Sequence, residues 1–286
     1  MILCAGEILV DRVRAPEGET DHIGGAPFNV AVYAARHGAD VRFFGNVGGD
    51  SAGTFLKEQA KTFELDLQLT ESADSPTTVA LVTVDKSGER SFRFLRDNTA
   101  DYQLDASEID WEGVTTFHFG TLMLNTEKGR TFCKEAIAQA KRRNIRVSTD
   151  ANFRDDLFAT TQERDSTMLP FLFEADVLKL SVEELQALAK DSDIARAVSK
   201  LGYKGLLFIT KGAEGSEVFL RRKRITCAPA SPIEKIVDTT GAGDAFFGAV
   251  LALIDRGVSL DAESLKQVLT TANSAGAAAT QTEGAL

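Results

Sequence analysis

Residues 238–254 constrain the fold of this 286-residue chain more than any other segment. In this segment Gly241 and Gly243 flank one alanine, and Asp244 follows directly at the head of an apolar, alanine-rich run that predicts a helix. The first amides of a helix have no intrahelical acceptor, and the aligned peptide dipoles favour negative charge there. Because the residues of this turn are small, an anion can approach those amides. The segment therefore predicts an anion site at a helix N-terminus.

The carboxylate of Asp244 beside an anion site needs a chemical reason, because it repels a phosphate unless it has a proton to accept. Asp244 is placed to accept a hydroxyl proton while the amides of Ala242 and Gly243 hold charge on a transferred phosphoryl group. Gly-Ala-Gly-Asp alone is more often a helix cap. A dinucleotide fingerprint needs a small residue where Phe246 stands, and the sequence contains no Walker A motif.

Two separated signatures resemble those of the ribokinase/PfkB family of sugar kinases. Residues 238–246 (Asp-Thr-Thr-Gly-Ala-Gly-Asp-Ala-Phe) are similar to the C-terminal signature, and residues 24–31 and 45–53 are similar to the N-terminal one. They lie about two hundred residues apart in the right order, so the likeness covers nearly the whole chain. The resemblance implies one ribokinase-like domain over residues 1–286, a three-layer α/β/α sandwich around a mainly parallel sheet.

A β-rich segment interrupts the strand-helix alternation. Residues 78–84 and 90–95 read as strands joined by a turn sequence at 85–88, so this hairpin belongs to a small separate sheet. In the resembled family such a sheet forms a lid over the sugar. The resemblance therefore implies lid strands at about 10–23 and 77–96, and pairing of lids between two copies predicts a homodimer.

Composition and charge restrict the function classes. The 43% apolar content supports a substantial core, and the formal charge of −10 argues against a nucleic-acid partner. We expect a cytoplasmic enzyme without a membrane partner, because no apolar run has spanning length and the N-terminus reads as a strand without a basic leader. The three cysteines lack metal-type spacing, and reduced thiols are expected.

The sugar-binding residues follow from the resemblance. Asp11 comes just after the first predicted strand, at the sheet edge where α/β proteins collect ligands, and in the family an Asp here binds sugar hydroxyls. Gly24 and Gly25 allow close backbone approach to a ligand, and Asn29 can both donate and accept hydrogen bonds. Arg154 could reach substrate or phosphate oxygens, with a surface salt bridge as the alternative.

The nucleotide-binding residues are carried over by position. Lys211, Gly212 and Gly215 follow a predicted strand, where the glycines can frame ATP and the lysine can lie near phosphate or ribose. Asn273, on the last predicted helix, is expected along the adenine.

The metal-linked residues are also implied by the resemblance. Many relatives have Asn-x-x-Glu where this chain has Ser181 and Glu184, and that pair is associated with Mg²⁺ through water. Glu184 is therefore a candidate Mg²⁺ neighbour, with the serine as a departure. Asp238 and Thr240 match the K⁺ ligand positions of some relatives.

The implied reaction is transfer of the γ-phosphoryl group of ATP to a hydroxymethyl group of a sugar. Ala26, where ribokinase has lysine, favours the fructokinase branch and D-fructose. Two alternatives remain open: the same chemistry on 2-keto-3-deoxygluconate, another sugar or a nucleoside, or a non-catalytic sugar-binding relative.

Overall fold

Strands and helices alternate along most of the chain, and the computed structural model, which describes residues 1–15, 18–84 and 90–286, shows how they are layered. The strands are β1 (Ile2–Ala5), β2 (Leu9–Ala15), β3 (Gly18–Gly24), β4 (Val41–Gly48), β5 (Asp66–Ser72), β6 (Val79–Val84), β7 (Arg90–Leu95), β8 (Thr116–Phe119), β9 (Arg146–Asp150), β10 (Val177–Ser181), β11 (Leu206–Thr210), β12 (Ser216–Leu220) and β13 (Lys223–Ala228). The α-helices are α1 (Ala26–Arg36), α2 (Ser51–Ala60), α3 (Glu127–Arg142), α4 (Thr161–Leu172), α5 (Val182–Ala189), α6 (Ile194–Leu201), α7 (Ala242–Asp255) and α8 (Ala262–Ala279).

The main sheet of the described chain contains nine strands in the order β13-β12-β11-β10-β9-β8-β1-β4-β5. All pairs from β11 to β5 are parallel, whereas β12 runs antiparallel to both of its neighbours. In a parallel sheet the carboxyl ends of the strands meet at one edge, so the loops that follow them lie close together.

Side chains of the main sheet alternate between two apolar cores. On β1, Ile2 and Cys4 belong to one core while Leu3 and Ala5 belong to the other, and all four are fully buried. Helices α1, α2, α7 and α8 contribute to the first core, and α3 to α6 contribute to the second. This arrangement confirms the predicted sandwich of helices around a mainly parallel sheet.

A second sheet, here called the lid sheet, has the strand order β3-β2-β6-β7. Strands β2 and β6 pair in parallel, and each pairs antiparallel with its outer neighbour, β3 or β7. These strands fall in the two stretches for which lid strands were expected. The predicted turn at 85–88 lies outside the described residues.

Six of the eight α-helices in the described chain begin on a side-chain cap, whereas α1 and α7 each begin on a glycine without one. Asp50, Thr126 and Asp261 accept hydrogen bonds from backbone amides at the starts of α2, α3 and α8. Helix α7 begins instead on Gly241, whose φ of 76° lies in the left-handed region and which offers no side-chain cap. The first turn of α7 is therefore left open to an outside partner.

In the described part of the chain, none of the helices combines the length and the apolar character needed to cross a bilayer. Cys4 and Cys133 are buried free thiols, and Cys227 is an exposed one.

Candidate active site

A cavity of about 560 Å³ lies between the carboxyl ends of the main-sheet strands and the lid sheet. Leu9, Ala80 and Phe94 line it from the lid sheet, and Leu122 adds a further apolar side chain. Eight of the sixteen predicted site residues meet here although they are far apart in sequence. The predicted residues that line this cavity are Asp11, Gly25, Asn29, Arg154, Thr240, Gly241, Gly243 and Asp244.

Asp244 lies in the first turn of α7 and faces the cavity. Its Oδ2 accepts a hydrogen bond of 2.8 Å from Nδ2 of Asn29, which reaches it from α1. Burial raises the pKa of Asp244, while the Asn29 hydrogen bond and the nearby Lys179 and Arg154 oppose the rise. A carboxylate with a raised pKa is a stronger base, so this environment suits proton acceptance.

The amides around Gly241 differ in their availability. The amide of Ala242 donates to the carbonyl oxygen of Thr239 at 3.3 Å, and its predicted contact with a phosphoryl group stays a prediction. The amides of Gly243 and Asp244 lie in the first turn, where the helix supplies no acceptor. The first-turn amides without a backbone acceptor in the described chain are therefore those of Gly243 and Asp244, and anion binding there stays a prediction.

Close contacts with Asp11 and with the backbone of Glu7 explain the need for glycine at positions 24 and 25. A Cβ added to Gly24 would lie 2.1 Å from Oδ2 of Asp11, and one added to Gly25, at φ 114°, would lie 2.4 Å from the carbonyl oxygen of Glu7. The glycines thus allow close internal packing of the loop, rather than only the approach of a ligand. Burial raises the pKa of Asp11 to about 7, with Arg154 opposing the rise and Asp244 adding to it.

Arg154 lies on the open side of the cavity. Its Nη1 donates to the carbonyl oxygen of Phe153 at 3.1 Å, and its side chain is exposed. Within the described residues it forms no ion pair, so the surface salt bridge considered as an alternative is not formed.

Asp150 and Lys179 form a buried ion pair in the wall of the cavity, with 2.8 Å between Lys179 Nζ and Asp150 Oδ2. Lys179 was missed as a site residue. The available signal was one lysine in the otherwise apolar strand Val-Leu-Lys-Leu-Ser, because a charge inside a buried strand requires a partner.

Glu184 forms a capping box with Ser181. Its Oε2 accepts from the amide of Ser181 at 2.7 Å, the Ser181 hydroxyl accepts from the Glu184 amide at 3.2 Å, and Oε1 accepts from the amide of Phe153 at 2.8 Å. The serine that replaces the usual asparagine thus has a structural role. Glu184 connects the start of α5 to the loop that carries Arg154.

Asp238 and Thr240 are hydrogen-bonded to each other directly before the first turn of α7, residues 241–244, here called the anion turn. Oδ1 of Asp238 accepts from the amide and the hydroxyl of Thr240 at 3.0 and 2.7 Å, and Oδ2 accepts from the amide of Gly284 at 3.0 Å. These contacts tie the segment before α7 to the C-terminal residues. Cation binding by these two residues stays a prediction.

The predicted nucleotide residues after β11 do not line the cavity. Nζ of Lys211 pairs with Glu217 at 2.8 Å, which directs the ammonium along the sheet edge. Gly215 has a φ of 93°, and a Cβ there would lie 2.1 Å from the carbonyl oxygen of Ala228, so it serves the turn into β12. Around Gly212, at φ 53°, an added Cβ meets no atom of the described chain within 4 Å.

The side-chain amide of Asn273 is engaged within the protein. It accepts from Ser216 at 2.8 Å and donates to the carbonyl oxygens of Pro229 and Ala228 at 2.9 and 3.3 Å. Asn273 therefore ties α8 to β12 and to the end of β13. These contacts do not support its predicted place along the adenine.

Glu7 is a second buried acid that sequence reasoning missed. It is 2% exposed, and its Oε2 has no hydrogen-bond partner among the described residues. Burial raises the pKa of Glu7 to about 8. The sequence signal was its position two residues after the end of the buried strand β1.

We expect Glu7→Gln to stabilise the protein at high pH. Because the pKa of Glu7 is higher in the folded than in the unfolded chain, its contribution to stability is present at acid pH and is lost as the pH rises through about 8. Glutamine removes this loss, so Tm should exceed that of the unmodified protein by about 4–10 °C at pH 9.5 and agree within about 2 °C at pH 5. Scanning calorimetry across pH measures the difference. The exposed Glu58→Gln is measured in parallel as a control for the loss of one carboxyl group. A Tm difference for Glu7→Gln that does not change with pH would contradict the assignment.

Comparisons with known proteins agree with this geometry. The profile described as pfkB family carbohydrate kinase matches residues 1–286. A fructokinase from Klebsiella pneumoniae is 34% identical over 290 residues, covering 98% of this chain and 93% of that protein.

Two solved structures are similar over nearly the full length. A fructokinase double mutant from Vibrio cholerae, bound to fructose, ADP and a potassium ion, aligns with a TM-score of 0.88 at 32% identity, covering 99% of this chain and 93% of that one. An aminoimidazole riboside kinase from Salmonella enterica, complexed with aminoimidazole riboside and an ATP analogue, aligns with a TM-score of 0.87 at 28% identity, covering 99% and 94%. With the full-length match and the site geometry together, the chain belongs to the pfkB family of carbohydrate kinases.

Proposed function

We propose that this carbohydrate kinase transfers the γ-phosphoryl group of ATP to a hydroxymethyl group of D-fructose. The observation that carries the proposal is the convergence of Asp11, Asn29 and Asp244 on the open first turn of α7 within one cavity. Fructokinases at 32–34% identity over nearly the whole chain support the choice of sugar.

In the proposed reaction Asp244 accepts the proton of the attacking hydroxyl. The hydroxyl oxygen forms a bond to the γ-phosphorus as the bond from that phosphorus to the β–γ bridging oxygen breaks, and the electron pair leaves with ADP. The amides of Gly243 and Asp244 stabilise the negative charge on the transferred group. Asn29 orients Asp244 by donating to Oδ2, which leaves Oδ1 for the hydroxyl.

The sugar is held by Asp11 from the lid sheet and by the apolar side chains beside it. Asp11 accepts hydrogen bonds from sugar hydroxyls, while Leu9, Ala80 and Phe94 pack against the carbon skeleton. Closure by these side chains excludes water, which otherwise competes with the sugar as phosphoryl acceptor. Arg154, which is not ion-paired in the described chain, lies where it can meet an oxygen of the sugar or of the γ-phosphate.

The acidic residues of the cavity fit a magnesium ion bound together with ATP. The described residues hold no cluster of three or more metal-ligating side chains, and Mg²⁺ is usually bound by one or two carboxylates, waters and substrate phosphates. Oδ1 of Asp150 is buried without a partner among the described residues, so it would hold the hydrated ion, with Glu184 acting through water. When bound, the ion neutralises charge on the phosphates.

A monovalent cation is proposed beside the anion turn, near Asp238 and Thr240. The support is the potassium ion in the similar Vibrio cholerae structure and the position of these residues directly before α7. A cytoplasmic location and a dimer formed through the lid sheets stay predictions from sequence.

A panel of acceptors tests the choice of sugar. We expect kcat/KM, measured by coupled ADP release, to be at least tenfold higher for D-fructose than for 2-keto-3-deoxygluconate, other sugars or aminoimidazole riboside, because the cavity offers polyol-binding groups beside apolar walls. Asp244→Asn is the control for contaminating ATPase activity. A higher value for another acceptor would replace fructose in the proposal. Absence of turnover with every acceptor would favour a non-catalytic sugar-binding role.

A further inference from the structure

The ion pair of Lys179 and Asp150 lies beside the anion turn of α7. Nζ of Lys179 is so close to this turn that a Cβ added to Gly243 would lie 2.9 Å from it. The lysine extends from β10 and the aspartate from the end of β9, two parallel neighbours in the main sheet. The pairing of β9 with β10 and the position of α7 therefore place the ammonium group of Lys179 next to the amides in the first turn of α7.

The ion pair of Lys179 and Asp150 leaves hydrogen-bond donors of the lysine for an anion in the cavity. Both members of the pair are buried, and the 2.8 Å between Lys179 Nζ and Asp150 Oδ2 is the separation of a hydrogen-bonded ion pair. An ammonium has three donors, and in the described part of the chain Asp150 is the one acceptor found for it. Two donors are therefore available to a ligand.

Acidic side chains outnumber basic ones in the lining of the cavity, so a bound phosphate needs the positive charge of Lys179. Six carboxylic side chains line the cavity, Glu7, Asp11, Asp150, Asp155, Asp156 and Asp244, against the two cations Arg154 and Lys179. The triphosphate of ATP is repelled by these carboxylates unless cations contact it directly. Arg154 is on the exposed side, whereas Lys179 is 6% exposed and lies next to the anion turn.

We propose that Lys179 contacts the phosphoryl group in transfer, sharing it with the amides at the head of α7. In this role Asp150 fixes the position of the ammonium, and glycine at position 243 leaves room for it. The proposal rests on the proposed ATP-dependent reaction, and it adds a charged side chain to the main-chain donors that stabilise the transferred group. A structural ion pair without ligand contact is the competing explanation.

The test compares nucleotides that differ only in phosphate number. We expect Lys179→Gln to weaken ATP binding by about 10- to 100-fold, the value of a charge-assisted hydrogen bond, while AMP binding changes by less than about twofold. Isothermal titration without sugar and with EDTA excludes turnover and any contribution of magnesium. With magnesium and sugar present, kcat should fall by a similar factor.

Lys179→Gln leaves Asp150 as a buried unpaired carboxylate, so a second comparison guards against misfolding. Asp150→Asn serves as the reference, and Lys179→Gln is added to it, so that no buried charge is left alone. The ATP-specific loss should appear again between these two variants. Equal affinity for ATP, with kcat within about threefold, in a folded variant would show that the lysine is only structural. If the unmodified protein phosphorylates no acceptor, the proposed function fails, whereas the ATP and AMP affinities still decide the role of Lys179.

Discussion

Asp244→Asn is expected to lower kcat by about 10²- to 10⁴-fold while leaving the dissociation constant of the sugar within about threefold. Asparagine has nearly the same shape and can still accept the hydrogen bond from Asn29, so the site should stay assembled. It cannot accept a proton from the sugar hydroxyl, and it removes the one carboxylate placed in the first turn of α7. Single-turnover phosphate transfer measures the chemical step, and calorimetric titration with sugar measures binding.

A matched control lies on the same helix. Asp255 ends α7, about 16 Å from Asp244 at 1.5 Å per residue, and it accepts from Thr115 and Thr116 away from the cavity. Asp255→Asn removes the same charge, and it should leave kcat within about twofold. If Asp244→Asn retains more than a tenth of the original turnover, Asp244 is not the base and the mechanism must be revised.

The uncapped start of α7 could be predicted from sequence because its backbone conformation is local. Gly241, Gly243 and Asp244 are consecutive or nearly so, and the conformation they require is decided by their own backbone. The meeting of Asp11 with Asp244 could only be inferred from a family resemblance, because it depends on how the lid sheet packs against the main sheet. Periodicity alone contains no such information.

The contacts of residues whose partners are distant in sequence were not predicted. Lys179 has the spacing of a core residue in β10, and only the parallel pairing with β9 brings it to Asp150. Asn273 was placed by position along its helix, but its contacts with Ser216 and Pro229 depend on the antiparallel edge of the sheet. Long-range hydrogen bonds decide the orientation of such side chains.

The same limit applies to the fold. The family resemblance implied the sandwich, and the alternation of strands and helices agrees with it, since apolar runs between helices are typical of parallel strands. Strand β5 was not predicted, because at the edge of the main sheet it is only partly buried and lacks a continuous apolar run.

The buried carboxylate of Asp101 connects the lid hairpin, formed by β6 and β7, to the main body. Asp101 is 1% exposed, and its Oδ2 accepts from Nε and Nη2 of Arg96 at 2.9 and 2.6 Å. Its Oδ1 accepts from the hydroxyls of Thr78 and Thr99 at 2.5 and 2.6 Å. Thr78 directly precedes β6 and Arg96 directly follows β7, so Asp101 holds both ends of the lid hairpin where they leave the body.

Asp101→Asn should therefore reduce the free energy of unfolding by about 3–5 kcal/mol, because it leaves the guanidinium of Arg96 buried without a counter-charge. Tm should fall by about 6–15 °C, and KM for the sugar should rise as the hairpin loosens.

Two further variants test the role of the charge. Arg96→Met should reduce the free energy of unfolding much less when it is added to Asp101→Asn than when it is made alone in the unmodified protein, since it then removes the unpaired charge. Glu19→Gln, which breaks the exposed lid-sheet pair of Arg14 and Glu19 at 2.8 Å, should cost no more than about 1 kcal/mol. Chemical denaturation of the four variants measures these differences, and equal losses for Asp101→Asn and Glu19→Gln would show that the hairpin is held by its β-sheet pairing alone.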